Sequence, residues 1–209
     1  MKSTKNNETK KKILLLARKK FFADGFLKTS MDELASEFHI SKKTIYKHFK
    51  SKDDLLFQVV QDFTQTVTDK IFEIMKLEDN PVVKLVNSLF LLQNTLQQMS
   101  LKYLNEIQKH KPKLLNYMEK FRRENLEKVI YQTIQEGKKK GIFNSINPEL
   151  TFQIFYGAIV NVIATDFLIK HPITIDDAID QTFDILLNGI LTSEGRKTYK
   201  RLKRGNYER

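Results

Sequence analysis

The 209-residue sequence contains no cysteine, which excludes disulfides, thiolate catalysis and cysteine-ligated metal sites. Glycine and proline are scarce, with seven and four copies. They punctuate long stretches of Leu, Ile, Phe, Lys, Glu and Gln, a composition that favours helix throughout. No run approaches the roughly 18 uncharged apolar residues that a membrane-spanning helix needs. The apolar run Ile13 to Ala17 after the basic MKSTKNNETKKK is too short for a secretory signal core, and no small-residue cleavage pattern adjoins it. The expectation is a cytoplasmic protein without a membrane partner. Catalytic signals are missing as well. His39, His48, His110 and His171 are scattered, and neither an HExxH pair nor a glycine-rich phosphate loop occurs. The acid pairs Asp32-Glu33 and Asp176-Asp177 suit helix starts. No catalytic residue, metal or cofactor is therefore expected.

What is present is an apolar share of 41%, enough to build a core in one or two domains, and a net charge of +11. That charge is unevenly placed. Residues 1–52 hold 14 Lys or Arg against 5 Asp or Glu, a charge of +9. Residues 53–193 hold 15 against 18, or −3, and residues 194–209 hold 7 against 2, or +5. A basic amino-terminal end before a mildly acidic body points to a polyanion partner at that end. A basic amphipathic protein lying on a membrane is the rival reading; helix caps and two-sided burial oppose it.

The richest stretch is Thr29 to Lys52. Ser30 with Glu33 three residues on is a capping box, so a helix starts near Met31. Met31, Leu34, Ala35 and Phe38 fall on one face of it. Ser41 is a second N-cap. In the helix after it Ile45 and Phe49 point inward, while Lys42, Lys43, Tyr46 and Lys47 share the opposite face at spacings of three and four. Two short helices joined by a tight turn, with three cations and a phenol facing outward, describe a DNA-reading element.

At these residues the chain resembles the TetR family of bacterial transcriptional regulators. The matching positions are Thr29, Leu34, Ala35, Ser41, Lys42, Thr44, Ile45, Tyr46, His48, Phe49, Lys52 and Leu55. The run Ser41 to Phe49 followed by Lys52 is specific for a motif of its size. One departure is His39, which stands in the turn where the family usually has Gly; a positive φ there is tolerated by His at some strain. The resemblance implies an all-α fold, with a three-helix helix-turn-helix domain over residues 1–50 and a helical ligand-sensing and dimerisation domain over 51–209. Double-stranded DNA is the expected partner. Lys42, Lys43 and Lys47 are candidates for base-edge or phosphate contacts and Thr29, Thr44, Tyr46, His48 and Lys52 for phosphate contacts, with Ser41 also in the DNA-binding set.

The rest of the chain is read in order. Residues 1–8 form a polar arm, read as frayed. A first helix from Thr9 carries Ile13, Leu14, Leu16, Ala17 and Phe21, with Gly25 as its stop. Ser51 caps a long rod to about Met75, which the resemblance makes the link between the domains, tilting when ligand binds. Asn80-Pro81 opens the next helix, a short segment ends at Pro112, and one long helix is read over Lys113 to Lys140. Asn147-Pro148 opens the most apolar helix, Pro172 stops it, and Thr174 caps the last main one. The basic tail from Ser193 is read as a solvated terminus in preference to a helix.

For the body, the resemblance implies a homodimer whose last two main helices form a four-helix bundle with the same pair from a second subunit. The dimerisation candidates are Phe152, Tyr156, Ile159, Val160, Ile163, Phe167, Ile179, Phe183, Leu186, Leu187 and Ile190. A small-molecule effector, apolar or amphipathic because no charge cluster converges, would sit among Phe90, Asn94, Tyr103, Tyr117, Phe121, Phe155 and Tyr156. The expected activity is a ligand-responsive repressor, released by that effector from a pseudo-palindromic operator.

Overall fold

The start of each helix is set by a side chain that satisfies amides left without an intrahelical acceptor. In the computed structural model, which describes residues 2–77, 80–162 and 165–207, Ser30, Ser41, Asn80, Ser100 and Thr174 all cap in this way. The described residues form α1 (Lys2–Asp24), α2 (Met31–Glu37), α3 (Lys42–His48), α4 (Lys52–Leu77), α5 (Pro81–Leu96), α6 (Leu101–His110) and α7 (Pro112–Arg122). After α7 follow a π-helical turn (Arg123–Glu127), α8 (Lys128–Lys139), α9 (Pro148–Val162), α10 (Thr165–Lys170), α11 (Ile175–Ile190) and α12 (Ser193–Tyr207). The fold is all-α, and no β-strand occurs among the described residues beyond one isolated bridge between Phe143 and Leu191.

Two compact units result, one from residues 1–66 with 98–118 and the other from 67–97 with 119–209. The first takes in more chain than the 1–50 domain read from the motif, because α6 packs on α1 and brings its own core residues. Phe22 of α1 meets Tyr103 of α6 at 4.8 Å between ring centroids and Phe63 of α4 edge-on at 4.9 Å. Phe21, Phe26, Leu34, Ile45 and Phe49 are buried to 1% exposure or less. Burial of one such side chain contributes roughly 1.5–3 kcal/mol, so this cluster is what sets α2 and α3 against α1.

In the second unit α5 lies against α8, α11 and α12, and α9 lies against α8 and α11. Ile134, Ile179 and Leu187 are 1% exposed. Gly137 of α8 admits the Phe143 ring so closely that a Cβ there would sit 2.3 Å from it, which fixes the turn after α8.

Three expectations change. The amino-terminal arm is not frayed, since α1 is helical from Lys2 and no Gly or Pro interrupts it before Gly25. The helix read as continuous from Lys113 to Lys140 is interrupted by the π-helical turn, where the Asn125 amide donates to the Phe121 carbonyl at 2.7 Å and occupies an acceptor that the wider turn releases. The basic tail is a docked helix. Tyr199 is buried and its hydroxyl donates to Asp184 of α11, while Lys203 pairs with Asp180 at 3.0 Å and with Asp184.

Candidate nucleic-acid interface

The reading element is built as its caps dictate. Ser30 Oγ accepts from the Glu33 amide at 3.0 Å and the Glu33 carboxylate accepts from the Ser30 amide at 3.4 Å, completing the capping box of α2. Ser41 Oγ accepts from the Thr44 amide at 3.0 Å and shares a hydrogen bond with the Thr44 hydroxyl at 2.7 Å. The turn between the helices runs through His39 at φ +53, the one positive-φ non-glycine residue among those described. Its backbone takes the left-handed conformation that the family's glycine would take more easily. Ile45 is fully buried beneath α3, and Phe49 caps its end with an amide donated to the Ile45 carbonyl at 3.0 Å.

On the other side of α3, Lys43, Tyr46 and Lys47 are exposed, Tyr46 by 46%. Neither Lys43 nor Lys47 takes an ion-pair partner among the described residues. Lys42 is exposed too but pairs with Asp32 of α2 at 2.5 Å, and that hydrogen bond holds its ammonium above the ordinary lysine range. A phosphate approaching it would meet the nearby Asp32 carboxylate as well. His48 is half-buried, and burial, followed by the charges of Lys47 and Lys10, holds its imidazole below the usual range. Lys10 of α1 lies 5.9 Å from the Phe49 ring centroid, which adds a cation to this end of α3 that the motif did not indicate.

Two candidates bond to the backbone of the loop before α2. Thr29 is 3% exposed and its hydroxyl donates to the Gly25 carbonyl at 2.9 Å. Lys52 donates to the carbonyls of Phe26 and Leu27, both at 2.8 Å. Both close the loop that leads into α2, Thr29 from a buried position and Lys52 from a half-buried one. Sequence reasoning also missed Glu106, which holds that loop from 80 positions away; a partner so distant leaves no local spacing signal.

Residues 13–59 match the family model described as bacterial regulatory proteins, tetR family. This amino-terminal segment is a TetR-family DNA-binding region. The chain is accordingly a DNA-binding regulator and not an enzyme. The chain is similar to the HTH-type transcriptional regulator YvaF of Bacillus subtilis, 27% identical over 79% of this chain and 87% of that protein. It is also similar to the HTH-type transcriptional repressor KstR2 of Mycolicibacterium smegmatis, 24% identical over 88% of this chain and 92% of that one. The fold resembles a regulator from Saccharomonospora viridis solved in complex with choline, with a TM-score of 0.73, 19% identity and coverage of 89% and 99% of the two chains.

The TetR regulator's sensing candidates divide between the units. Tyr103 belongs to the core of the first, where burial pushes its phenol above the ordinary range, and Tyr117 packs on Phe57 at 5.1 Å in the same unit. Phe90, Asn94, Phe121, Phe155 and Tyr156 belong to the second. The seven therefore do not come together within one unit, because Tyr103 is a core residue on Phe22. Around Tyr156 the second unit gathers Phe152, whose ring is parallel at 6.1 Å, and Arg122, which donates to the Tyr156 hydroxyl at 3.3 Å. Burial holds this guanidinium below its usual range. A separate cleft of about 290 Å³ is lined by Arg123, Glu127, Lys128, Tyr131, Pro148, Glu149 and Phe152, none of them among the seven.

The dimerisation candidates also divide. Phe152, Ile179, Phe183, Leu187 and Ile190 are buried within the single chain, at 1–8% exposure, and so contribute to the subunit's own core. Tyr156, Ile159 and Leu186 are half-buried, and Val160 and Phe167 are exposed by 38% each. Ile163 lies outside the described residues. The apolar side chains that do project are Leu150 (59%), Ile154 (50%) and Ile185 (74%), together with Val160 and Phe167. Among the described residues no helix is long and apolar enough to cross a membrane.

Proposed function

We propose that this TetR-family regulator is a repressor that acts in the cytoplasm as a homodimer on a pseudo-palindromic operator and is released by a small apolar or amphipathic effector. The observation that carries the proposal is the outward face of α3, where Lys43, Tyr46 and Lys47 stand exposed on a helix locked to the core by Ile45. Lysines at this spacing can donate to guanine O6 and N7 or to phosphate, with Tyr46 and His48 on the backbone side. A seven-residue reading helix meets only a few base pairs, so useful specificity needs two copies, with half-sites about 34 Å apart. The projecting side chains of α9 and α11 supply an apolar surface suited to a second copy, led by Ile185 and Ile154.

The similarity to a protein named a transcriptional repressor supports the sign of regulation, and the choline complex of the structural neighbour supports a small-molecule effector. Such an effector works by binding better to the state that does not hold DNA, with a coupling of about 1–3 kcal/mol. Phe121, Phe155 and Tyr156 are the aromatic groups proposed to receive it. Selection of bound duplexes from a random pool tests the main reading. The expected product is an inverted repeat with half-site centres about one helical turn apart. Recovery of a single half-site without a dyad rejects the dimeric mode, and recovery of no preferred sequence rejects operator recognition. A thermal-shift screen of amphipathic molecules tests the effector, because a ligand of the folded state must raise its melting temperature.

A further inference from the structure

The turn that leads into the reading helices is gripped from two sides. Gly25, at φ +83, ends α1, and its amide donates to the Phe21 carbonyl at 2.9 Å. Five residues later Ser30 caps α2. On the amide side of this turn stands Glu106 of α6. One of its carboxylate oxygens accepts from the Phe26 amide at 2.6 Å and from the Leu27 amide at 3.0 Å. A Cβ on residue 25 would lie 2.7 Å from that same oxygen, so the approach depends on glycine. On the carbonyl side stands Lys52, the first residue of α4, which donates to the carbonyls of the same two residues. Two ammonium groups lie near the Phe26 ring, Lys52 at 5.7 Å and Lys111 at 5.1 Å from its centroid, and Lys111 pairs with Asp53 at 2.7 Å.

Glu106 is only 7% exposed. A buried carboxylate is unfavourable unless its lone pairs are used, and here they are used on backbone amides, where charge-assisted bonds are strong. Within the turn the Thr29 hydroxyl holds the Gly25 carbonyl and the Phe26 ring is buried, while Leu27 and Lys28 are exposed. The backbone groups of Phe26 and Leu27 themselves are held by side chains from α6 and α4.

We propose that Glu106 and Lys52 are positioning residues for DNA recognition. By fixing the amides and carbonyls of Phe26 and Leu27 they set the direction in which the chain enters α2, and with it the angle that α3 presents to the groove. Lys52 serves this turn instead of a phosphate. The inference rests on the reading role of α3 and is independent of any effector.

The test uses the full-length protein, a duplex recovered by selection, and two readouts: affinity as a function of salt, and amide exchange. Glu106→Ala is expected to lower affinity tenfold or more with an unchanged salt slope, since no phosphate contact is removed. Amide exchange at Phe26 and Leu27 should speed up at least tenfold, while the Gly25 amide, held by α1, keeps its rate. Glu106→Gln retains an accepting oxygen and should recover most of the affinity. Lys52→Met should weaken binding, again at constant slope. A purely stabilising role would lower the melting temperature without moving affinity well below it. Affinity within twofold of wild type in Glu106→Ala overturns the proposal, as does unchanged exchange at Phe26 and Leu27. A slope reduced by about one in Lys52→Met assigns that residue to a phosphate and overturns its part. If Glu106→Ala does not fold, Glu106→Gln and Lys52→Met are read by the same measurements, and wild-type values in both reject the clamp. A wild-type protein that selects no duplex defeats the reading role of α3 before any variant is made, while the exchange data still report on the turn.

Discussion

Helices α2 and α3 and helices α9 and α11 are both pairs with an inner and an outer side, yet they differ in what decides the sides. In α2 and α3 the polar roles are settled within four residues, by Ser30 with Glu33 and by Ser41 with Thr44. In α9 apolar residues occur on more than one side, and in α9 and α11 the side that faces inward is chosen by packing on other helices, α5 and α8 among them. A short capped helix thus declares its outer face locally. A helix whose inner side is chosen by packing does not, and the most outward residue of that pair, Ile185, was not among the dimerisation candidates.

The sharpest test of this contrast sets Leu187 against Ile185, two residues apart on α11 and 1% and 74% exposed. Leu187→Ala should cost the subunit about 2–5 kcal/mol in denaturant unfolding, through lost burial and a cavity. Ile185→Asp should leave the circular dichroism spectrum intact and convert a dimer to a monomer in sedimentation. A dimeric Ile185→Asp would place the partner surface elsewhere.

On the reading face, Lys47→Ala should weaken operator binding by about 1–3 kcal/mol and reduce the salt slope by about one if it meets phosphate. Lys42→Ala should have the smaller effect, because Asp32 already engages that ammonium. Equal losses in a matched titration would show that the Asp32 pair opens at no cost. A smaller effect belongs to the turn. His39→Val, a β-branched residue forced to φ near +53, should destabilise the head by roughly 1–2 kcal/mol in thermal unfolding, and His39→Gly should not.

The smallest effect concerns pH. His48 is held below its ordinary value by burial first and by Lys47 and Lys10 after it. Between that lowered value and about 6.5 the unfolded chain binds more protons than the folded one, so stability rises with pH across this window. It is lost as pH falls through it. His48→Gln should flatten the slope of melting temperature against pH there, and an unchanged slope would assign the dependence to another group.

Much of the head was legible before any coordinates. The caps, the inward Ile45 and Phe49 and the outward Lys43, Tyr46 and Lys47 follow from spacing and side-chain chemistry, and the positive φ at His39 from the family resemblance. Thr29 and Lys52 were legible as motif residues but not in their roles, because a hydroxyl or ammonium reads the same whether it meets a phosphate or a carbonyl. The π-helical turn after Arg122 and the docking of α12 through Tyr199 and Lys203 were not legible either. The first is a change of helical register that apolar spacing does not signal, and the second depends on acceptors supplied by α11.

What the amino-acid sequence determined alone is the all-helical fold, the two-helix reading element and the family, since each rests on hydrogen bonds and apolar spacings closed within a few residues. The tertiary structure decided which apolar side chains build the subunit and which are left for a partner. It also decided that Glu106 and Lys52 grip the turn before α2. Those outcomes depend on contacts between residues 25 to 80 positions apart, and packing and electrostatics at that separation are resolved only when the helices meet.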